Sequence, residues 1–519
     1  MKNTRLALFI VLFASYAYFY QAGGANQNSR FGLVRAITYE HSVRIDSFQA
    51  YTGDKAFFGG HYYSDKAPGL AFAAVPVVAA ARRIVMAFRV DPGSPAGITL
   101  LSYLATVFTV GLPTALAGVC LFNLSLTFGA TPGGALLAAL VFGVATPMWA
   151  LATLFWGHAL AASCLVFAFA AATRIGSLSD CRQEVRLGVM IGVGAGWATV
   201  SEFPAAVPAL CLALLSAAKA WPLGHPRSTR ILSGLVVGAV ACIAVLGAYQ
   251  YLCFGSPFHV GYMSEQGFDA MKQGTFGIHA PQVTRLRAIL FGSYRGLLPL
   301  APALAIAPVG FALFLARSPR AFLDMCVASL IVAYYLLMNA GYAYWDGGWS
   351  YGPRHISPAI PFLCLGLGIV WTAVGRIGRS MLVVLSAWGT ALSLVAVSTM
   401  PQVPSSFSRP VAELLWPAFY EGDLSLNTQS FATGGADPDA LRAHTEPKAA
   451  WNVGMKMGLT GHASLAPLVI VWIAGAMWFS ASETRRGGFG SRAGRAWRHV
   501  RRRRQRVGSR ASARQIQLL

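Results

Sequence analysis

Apolar residues in this chain fall in blocks of roughly 20 rather than in amphipathic stripes, the pattern of segments able to cross a hydrocarbon core of about 30 Å. Such blocks run at 6–23, 98–124, 133–153, 156–175, 188–200, 204–218, 231–252, 293–315, 321–340, 356–375, 380–399 and 464–480. They predict an all-α polytopic membrane protein with about twelve transmembrane helices and a long first external loop. A thirteenth apolar stretch, 67–88, is expected to lie at the outer interface rather than to cross, so that 24–97 forms one external segment.

Charge sets the orientation. With the amino terminus inside, the loops carrying Arg174, Arg182 and Arg186, then Lys219, Arg227 and Arg230, then Arg317 and Arg320, then Arg376 and Arg379 all fall on the cytoplasmic side, as the positive-inside rule requires. The cost of this arrangement is that Arg82, Arg83 and Arg89 fall outside; if 67–88 crosses, they move inside and 174–187 moves out unless 188–218 is one span. The chain then divides into a transmembrane module over 1–400, an external loop at 401–463, a final span at 464–480 and a basic tail at 481–519.

Composition agrees with a membrane protein and removes several alternatives. Of 519 residues, 55% are hydrophobic and only 12% charged. The net charge of +22 is inflated by twelve arginines between Arg485 and Arg514. A basic tail after the last span holds a terminus in the cytoplasm and touches anionic lipid, so nucleic acid is not expected as a partner. The first span follows Lys2 and Arg5 like a secretory signal, yet it ends in Tyr16, Tyr18, Phe19 and Tyr20, an interfacial aromatic belt suited to an uncleaved anchor. Eight cysteines sit in or near spans without metal-ligand spacing and read as core thiols.

Most spans lack ionisable residues, which argues against an ion relay, and no repeat relates the two halves. Function is therefore expected in the outer segments 24–66, 253–290, 341–355 and 401–463. The first of these gathers the carboxylates Glu40, Asp46, Asp54 and Asp65, the cations Arg30, Arg35, Arg44, Lys55 and Lys66, and His41, His61, Tyr62 and Tyr63. A carboxylate can take a proton from an attacking hydroxyl, and Lys or Arg can neutralise a phosphate leaving group; a solvated loop with ordinary ion pairs would use the same residues. The stretch GYAYWDGGWSYGPRH at 341–355 sets Asp346, Arg354 and His355 among Tyr342, Tyr344, Trp345, Trp349 and Tyr351. Aromatic faces suit sugar rings and an Arg at a span mouth suits a lipid phosphate, although an aromatic belt with turn glycines has the same composition. Arg295 in FGSYRG lies at another outer mouth, where a snorkelling anchor serves equally. Glu202 in SEFP marks a broken helix of the kind that lines a polar cavity, while His158 in FWGH reads as structural. The 401–463 segment carries no recognisable motif.

The order of these elements resembles the GT-C glycosyltransferases, in the branch related to the aminoarabinose and protein mannosyl transferases. Arg30-Phe31 is similar to the Arg-aromatic dipeptide of the first external loop and GHYYSDKAPG at 60–69 to its Gly-aromatic-acid-Lys-Pro stretch. The short spans around SEFP, with SYRGLL and GGWSYGPRHISPAIPFL, are similar to later motifs, and the likeness extends over about 25–375. The resemblance implies transfer of a sugar from a polyprenyl-phosphate donor to a glycan, lipid or protein acceptor, on the outer face of a bacterial inner membrane. It departs at one point: Gln27 and Asn28 stand where relatives carry an acidic pair. A base must then come from Asp46 or Asp54. The resemblance further implies that Asp65 orients Lys66, that Lys66 and Arg354 hold the carrier phosphate with help from Arg295, and that Trp345, Trp349 and Tyr351 line the sugar site. Tyr63 and Glu202 join the expected binding residues. No cofactor is required, and a divalent cation is left open. A transporter of lipid-linked saccharides, or a non-catalytic accessory protein, remains the alternative.

Overall fold

The structure is a computed structural model, and it describes residues 1–177, 180–317, 321–434 and 447–480. Every one of the twelve apolar blocks carries helix. Among the described residues, eight helices are long and apolar enough to cross a membrane: Gly69–Ala87, Pro95–Thr127, Phe203–Leu223, His225–Phe254, Phe322–Gly341, Arg354–Ala373, Arg376–Ser398 and Gly461–Ser480. Shorter apolar helices, Pro132–Val144, Gly157–Thr173 and Pro302–Leu315, complete the bundle together with Lys2–Ala17 and Cys181–Ser201. The protein is thus a polytopic helical membrane protein. The basic tail, Arg320 and residues 435–446 of the last external loop lie outside the described residues.

Local sequence explains where the helices start. Ser94 and Thr131 each accept a hydrogen bond from the amide three residues on, with Pro95 and Pro132 in the first helical turn where a missing N–H costs nothing. Pro113 is accommodated by a turn of π-helix over Val107–Gly111 just before it. The closest helix pair, Cys181–Ser201 against His225–Phe254, meets through glycine: a β-carbon on Gly188 would strike Ile231 O, and one on Gly238 would strike Val189 O. Small residues permit this backbone contact where no hydrophobic effect drives helices together. On the other side of His225–Phe254, Val236, Val237, Val240 and Ile243 are exposed and form part of the surface offered to lipid.

The two ends of the bundle differ. At one end, loops expected to be cytoplasmic are tied by buried acids: Glu184 pairs with Arg227 and Arg230, and Lys219 with Asp324. At the other, the four polar segments join one another. Lys55–Phe58 pairs with His61–Tyr63 and with Glu265–Gln266 in one small sheet, placing Ala56 opposite Glu265. Ile278 bridges to Tyr342, the Tyr351 amide donates to Pro401 O, and Gly23 N donates to Gln429 O. Phe19–Tyr20, at the end of the first helix, pairs with Trp451–Asn452.

The helix Gly69–Ala87 is long enough to cross, but its companion is the polar helix Ala25–Glu40. Arg30 Nη1 donates to Ala67 O at one end of the pair, and Arg82 Nη1 donates to Thr38 O at the other. The two helices therefore run side by side.

Candidate active site

A cavity of about 830 Å³ opens where the four polar segments meet. Its walls are aromatic, including Trp156, Tyr262, Phe268, Tyr342, Tyr344 and Trp349, and its charged lining residues are Arg30, Asp54, Lys66, Glu202, Asp346 and Arg354, with His158 and His355 beside them.

One edge of the cavity comes from the break between two helices. Cys181–Ser201 ends at Glu202, whose extended backbone lets Phe203-Pro204 begin the next helix. Glu202 Oε1 accepts from Arg30 Nη2 at 2.7 Å and lies 3.6 Å from His158 Nδ1. Burial raises the Glu202 pKa, and the nearby Arg30 guanidinium works against that rise. Gly157 is required here, since a β-carbon on it would collide with Glu202 and Ser201 O. His158 and His355 pack edge to face with centroids 5.6 Å apart.

A second edge comes from the first loop. Asp54 follows the Thr52 turn, its amide donating to Thr52 Oγ1. Lys66 Nζ lies 3.0 Å from Asp54 Oδ2 and 2.5 Å from Asp65 Oδ2. Burial would lower the Lys66 pKa, but Asp54 and Asp65 outweigh it and hold the ammonium well above its ordinary range. Asp65 is fully buried behind Lys66, and Glu265 is buried beside it. Burial, then the neighbouring Asp65 carboxylate, pushes Glu265 up to about 10, so it is a neutral acid at physiological pH.

Arg354 completes the arrangement. Its guanidinium stacks 4.7 Å from the Trp156 ring, yet among the described residues it has no carboxylate partner and its Nε has no hydrogen bond. Of the three cations lining the cavity, Arg30 and Lys66 are neutralised and Arg354 is not. A half-buried, unpaired guanidinium in a cavity is a ready anion site.

The residues singled out from the sequence divide accordingly. Asp54, Lys66, Glu202, Trp349 and Arg354 line the cavity. Asp46 does not: it sits on the exposed rim, accepting from the Tyr62 amide at 2.6 Å and bonded to His61 Nδ1 at 2.8 Å, so it holds the loop sheet in place. Arg295 is also elsewhere. Its guanidinium is consumed by Asp346, Gly348 O and Val403 O, tying the 341–355 loop to the 401–434 segment. Tyr351 is buried in the hydrophobic cluster that contains Tyr16 and Trp149, Trp345 packs against the one that contains Phe31 and Phe155, and Tyr63 packs on Phe254. Asp65 contacts Lys66 from behind. Lys66, expected to hold the carrier phosphate, lies between two carboxylates, Asp54 and Asp65. His158, read as structural, lies on the cavity wall, and Glu265 was not singled out because its partners are remote in sequence. Among the described residues no group of three or more His, Cys, Asp or Glu side chains is arranged to hold a metal ion.

No protein-family model matches the sequence, and no curated protein matches it. Among solved structures, the chain is similar to the crystal structure of ArnT from Cupriavidus metallidurans bound to undecaprenyl phosphate, with 16% identity and a TM-score of 0.48 over 92% of this chain and 75% of that one. The apo form of ArnT gives 16% and 0.47 over 91% and 73%. The archaeal oligosaccharyltransferase AglB from Archaeoglobus fulgidus, in complex with an inhibitory peptide and a dolichol-phosphate, gives 12% and 0.44 over 76% and 56%. At these scores the chemistry of the cavity has to be read from its own side chains.

Proposed function

We propose that this chain is a glycosyltransferase that moves a sugar from a polyprenyl-phosphate carrier to an envelope acceptor, on the outer face of a bacterial inner membrane. The observation that carries this reading is the meeting, in one aromatic cavity, of an unpaired cation and a carboxylate: Arg354 and Asp54. Arg354 binds the carrier phosphate. Trp349, Tyr342 and Tyr344 supply faces for the sugar. Asp54 Oδ2 is held by Lys66, and Oδ1 has no hydrogen bond among the described residues, which leaves it to receive a proton.

The step balances as a direct displacement. The acceptor hydroxyl gives its proton to Asp54 as its oxygen bonds to the anomeric carbon. The bond from that carbon to the phosphate oxygen breaks, and its electron pair leaves with the polyprenyl phosphate beside Arg354. A single displacement inverts the anomeric centre. The paired acids Asp54 and Asp65 keep Lys66 protonated, so it holds Asp54 in place rather than competing for the acceptor's proton.

The experiment is release of polyprenyl phosphate from a panel of polyprenyl-phosphate sugars by the purified chain, in the presence of envelope acceptors. Release that is lost in Asp54→Asn supports transfer. Carrier binding without release from any donor would instead favour a transporter or an accessory protein.

A further inference from the structure

Where the first-loop helix begins, the cavity wall changes character from charged to amide. Gln27, Gln402 and Gln429 all line it, with Asn26 alongside. Their side chains converge: the amide oxygens of Gln402, Gln27 and Gln429 lie within 3.0 Å of the point a β-carbon on Gly24 would occupy. Glycine at 24 is what leaves room for three amides to meet.

One of these side-chain amides is held and two are left unpaired among the described residues. Gln402 is fixed by donating from Nε2 to Gly23 O at 2.8 Å, which leaves Oε1 without a donor. Gln429 is anchored through its backbone, its amide donating to Asn427 Oδ1, while its side chain makes no hydrogen bond among the described residues. Gln27 is 1% exposed, and neither its Nε2 nor its Oε1 has a partner. A buried amide facing a cavity with both ends unpaired is a costly arrangement unless a ligand completes it. Each amide presents one donor group and one acceptor to the cavity.

We infer that Gln27, Gln402 and Gln429 form a subsite for the hydroxyl groups of an uncharged sugar ring, a conclusion that rests on the transferase reading and narrows its substrate. Hydroxyls both donate and accept, as amides do. An amino sugar would call for a carboxylate, and those lining the cavity are paired, Asp54 with Lys66, Glu202 with Arg30 and Asp346 with Arg295; an acidic sugar would call for a cation, and Arg30 and Lys66 are paired while Arg354 takes the carrier phosphate. Asn26 Oδ1 is likewise committed, accepting from Arg30 Nε at 3.0 Å. The ring belongs either to the donor or to a glycan acceptor.

The test uses the purified full chain in nanodiscs and reads binding by intrinsic fluorescence, for which Trp156 and Trp349 in the cavity are reporters. The ligands are bare undecaprenyl phosphate, the same carrier bearing a neutral hexose, the carrier bearing an amino sugar, and a soluble neutral disaccharide. The variants are Gln27→Met, which keeps the volume and removes the hydrogen bonds, and Gln429→Leu. For a donor-derived ring the hexose carrier binds about tenfold tighter than the bare carrier, the order that one or two net hydrogen bonds contribute. Both variants abolish that margin and leave the bare carrier's affinity alone. For an acceptor-derived ring the disaccharide binds to the native chain and not to Gln27→Met. Survival of the hexose margin in both variants, preference for the amino-sugar carrier, or loss of neither ligand in Gln27→Met overturns the subsite. Failure of every carrier to bind removes the donor reading instead, and the disaccharide then decides the subsite alone: bound by the native chain only, it stands, and unbound, it falls.

Discussion

Arg30 and Glu202 form a 2.7 Å ion pair although 172 residues separate them, and both side chains are buried. The pair fastens the first-loop helix to the break between two helices. Removing one member strands the other charge, which typically costs about 3–5 kcal/mol. Glu202→Ala is therefore expected to lower the unfolding midpoint of the detergent-solubilised protein strongly. The double variant Arg30→Met with Glu202→Gln, which leaves no stranded charge, is expected to recover much of that loss. A double variant as unstable as Glu202→Ala would show that the pair is not what holds the helices.

Asp54 and Asp46 lie in the same loop with opposite surroundings. Asp54→Asn is expected to reduce turnover by about 10²- to 10⁴-fold, the usual worth of general-base help, with little change in stability. Asp46→Asn keeps its position on the rim and should lose no more than a small factor. Steady-state release of polyprenyl phosphate from both variants, at matched folding, measures this; the reverse order of losses would move the base to Asp46.

Arg354 is the cation of the cavity that is free to meet an anion. Charge-assisted hydrogen bonds contribute roughly 1.5–3 kcal/mol, so Arg354→Gln should weaken carrier binding by about tenfold to a hundredfold. Arg354→Lys should restore only part, because Lys offers a point charge rather than a planar fork. Arg295→Gln, by contrast, should act on stability and not on carrier affinity. Titration of each variant with undecaprenyl phosphate separates the two arginines.

Glu265 gives a dependence on pH. Its folded pKa is raised to about 10 by burial and by Asp65, so between the ordinary carboxylate range and that value the folded state holds a proton the unfolded state has lost. Stability from this group is then present at low pH and declines as pH rises through that window. Glu265→Gln, which cannot ionise, should be more stable than the native chain at pH 8 and nearly equal to it at pH 4. Thermal unfolding across that range tests it, and parallel pH profiles for the two proteins would place the Glu265 carboxyl in its ionised form.

The bundle was legible because lipid-crossing helices are written locally: twelve apolar blocks, and helix in each. The meeting of the four polar segments was legible too, since charge was concentrated in them. Pairing was not. Lys66 and Arg354 look alike as cations beside aromatics, and only contacts made across the fold show that one is neutralised and the other is not. Asp46 and Asp54 are eight positions apart in a polar loop, and what separates them is the hairpin that brings His61 and Tyr62 back onto Asp46. His158 sits in an apolar helix whose first turn, not its body, meets the cavity. Gln27 stands where an acid was expected, and its significance comes from Gln402 and Gln429, far along the chain.

The short strand Phe19–Tyr20 pairs with Trp451–Asn452, and Tyr18 Oη accepts from the Gly454 amide, 436 residues away. During synthesis at roughly 5–20 residues per second, the first helix is in the membrane for tens of seconds before its partner strand exists. The cavity wall built on Gln402 and Gln429 meets Gly23 directly, Gln402 Nε2 donating to Gly23 O and Gly23 N to Gln429 O, so it too waits on residues made late. Most of the chain must therefore be made before the cavity wall and the Phe19–Tyr20 pairing are both in place, and a chain cut short before Trp451 would carry Asp54 and Arg354 and still lack the strand that clasps the end of the first helix.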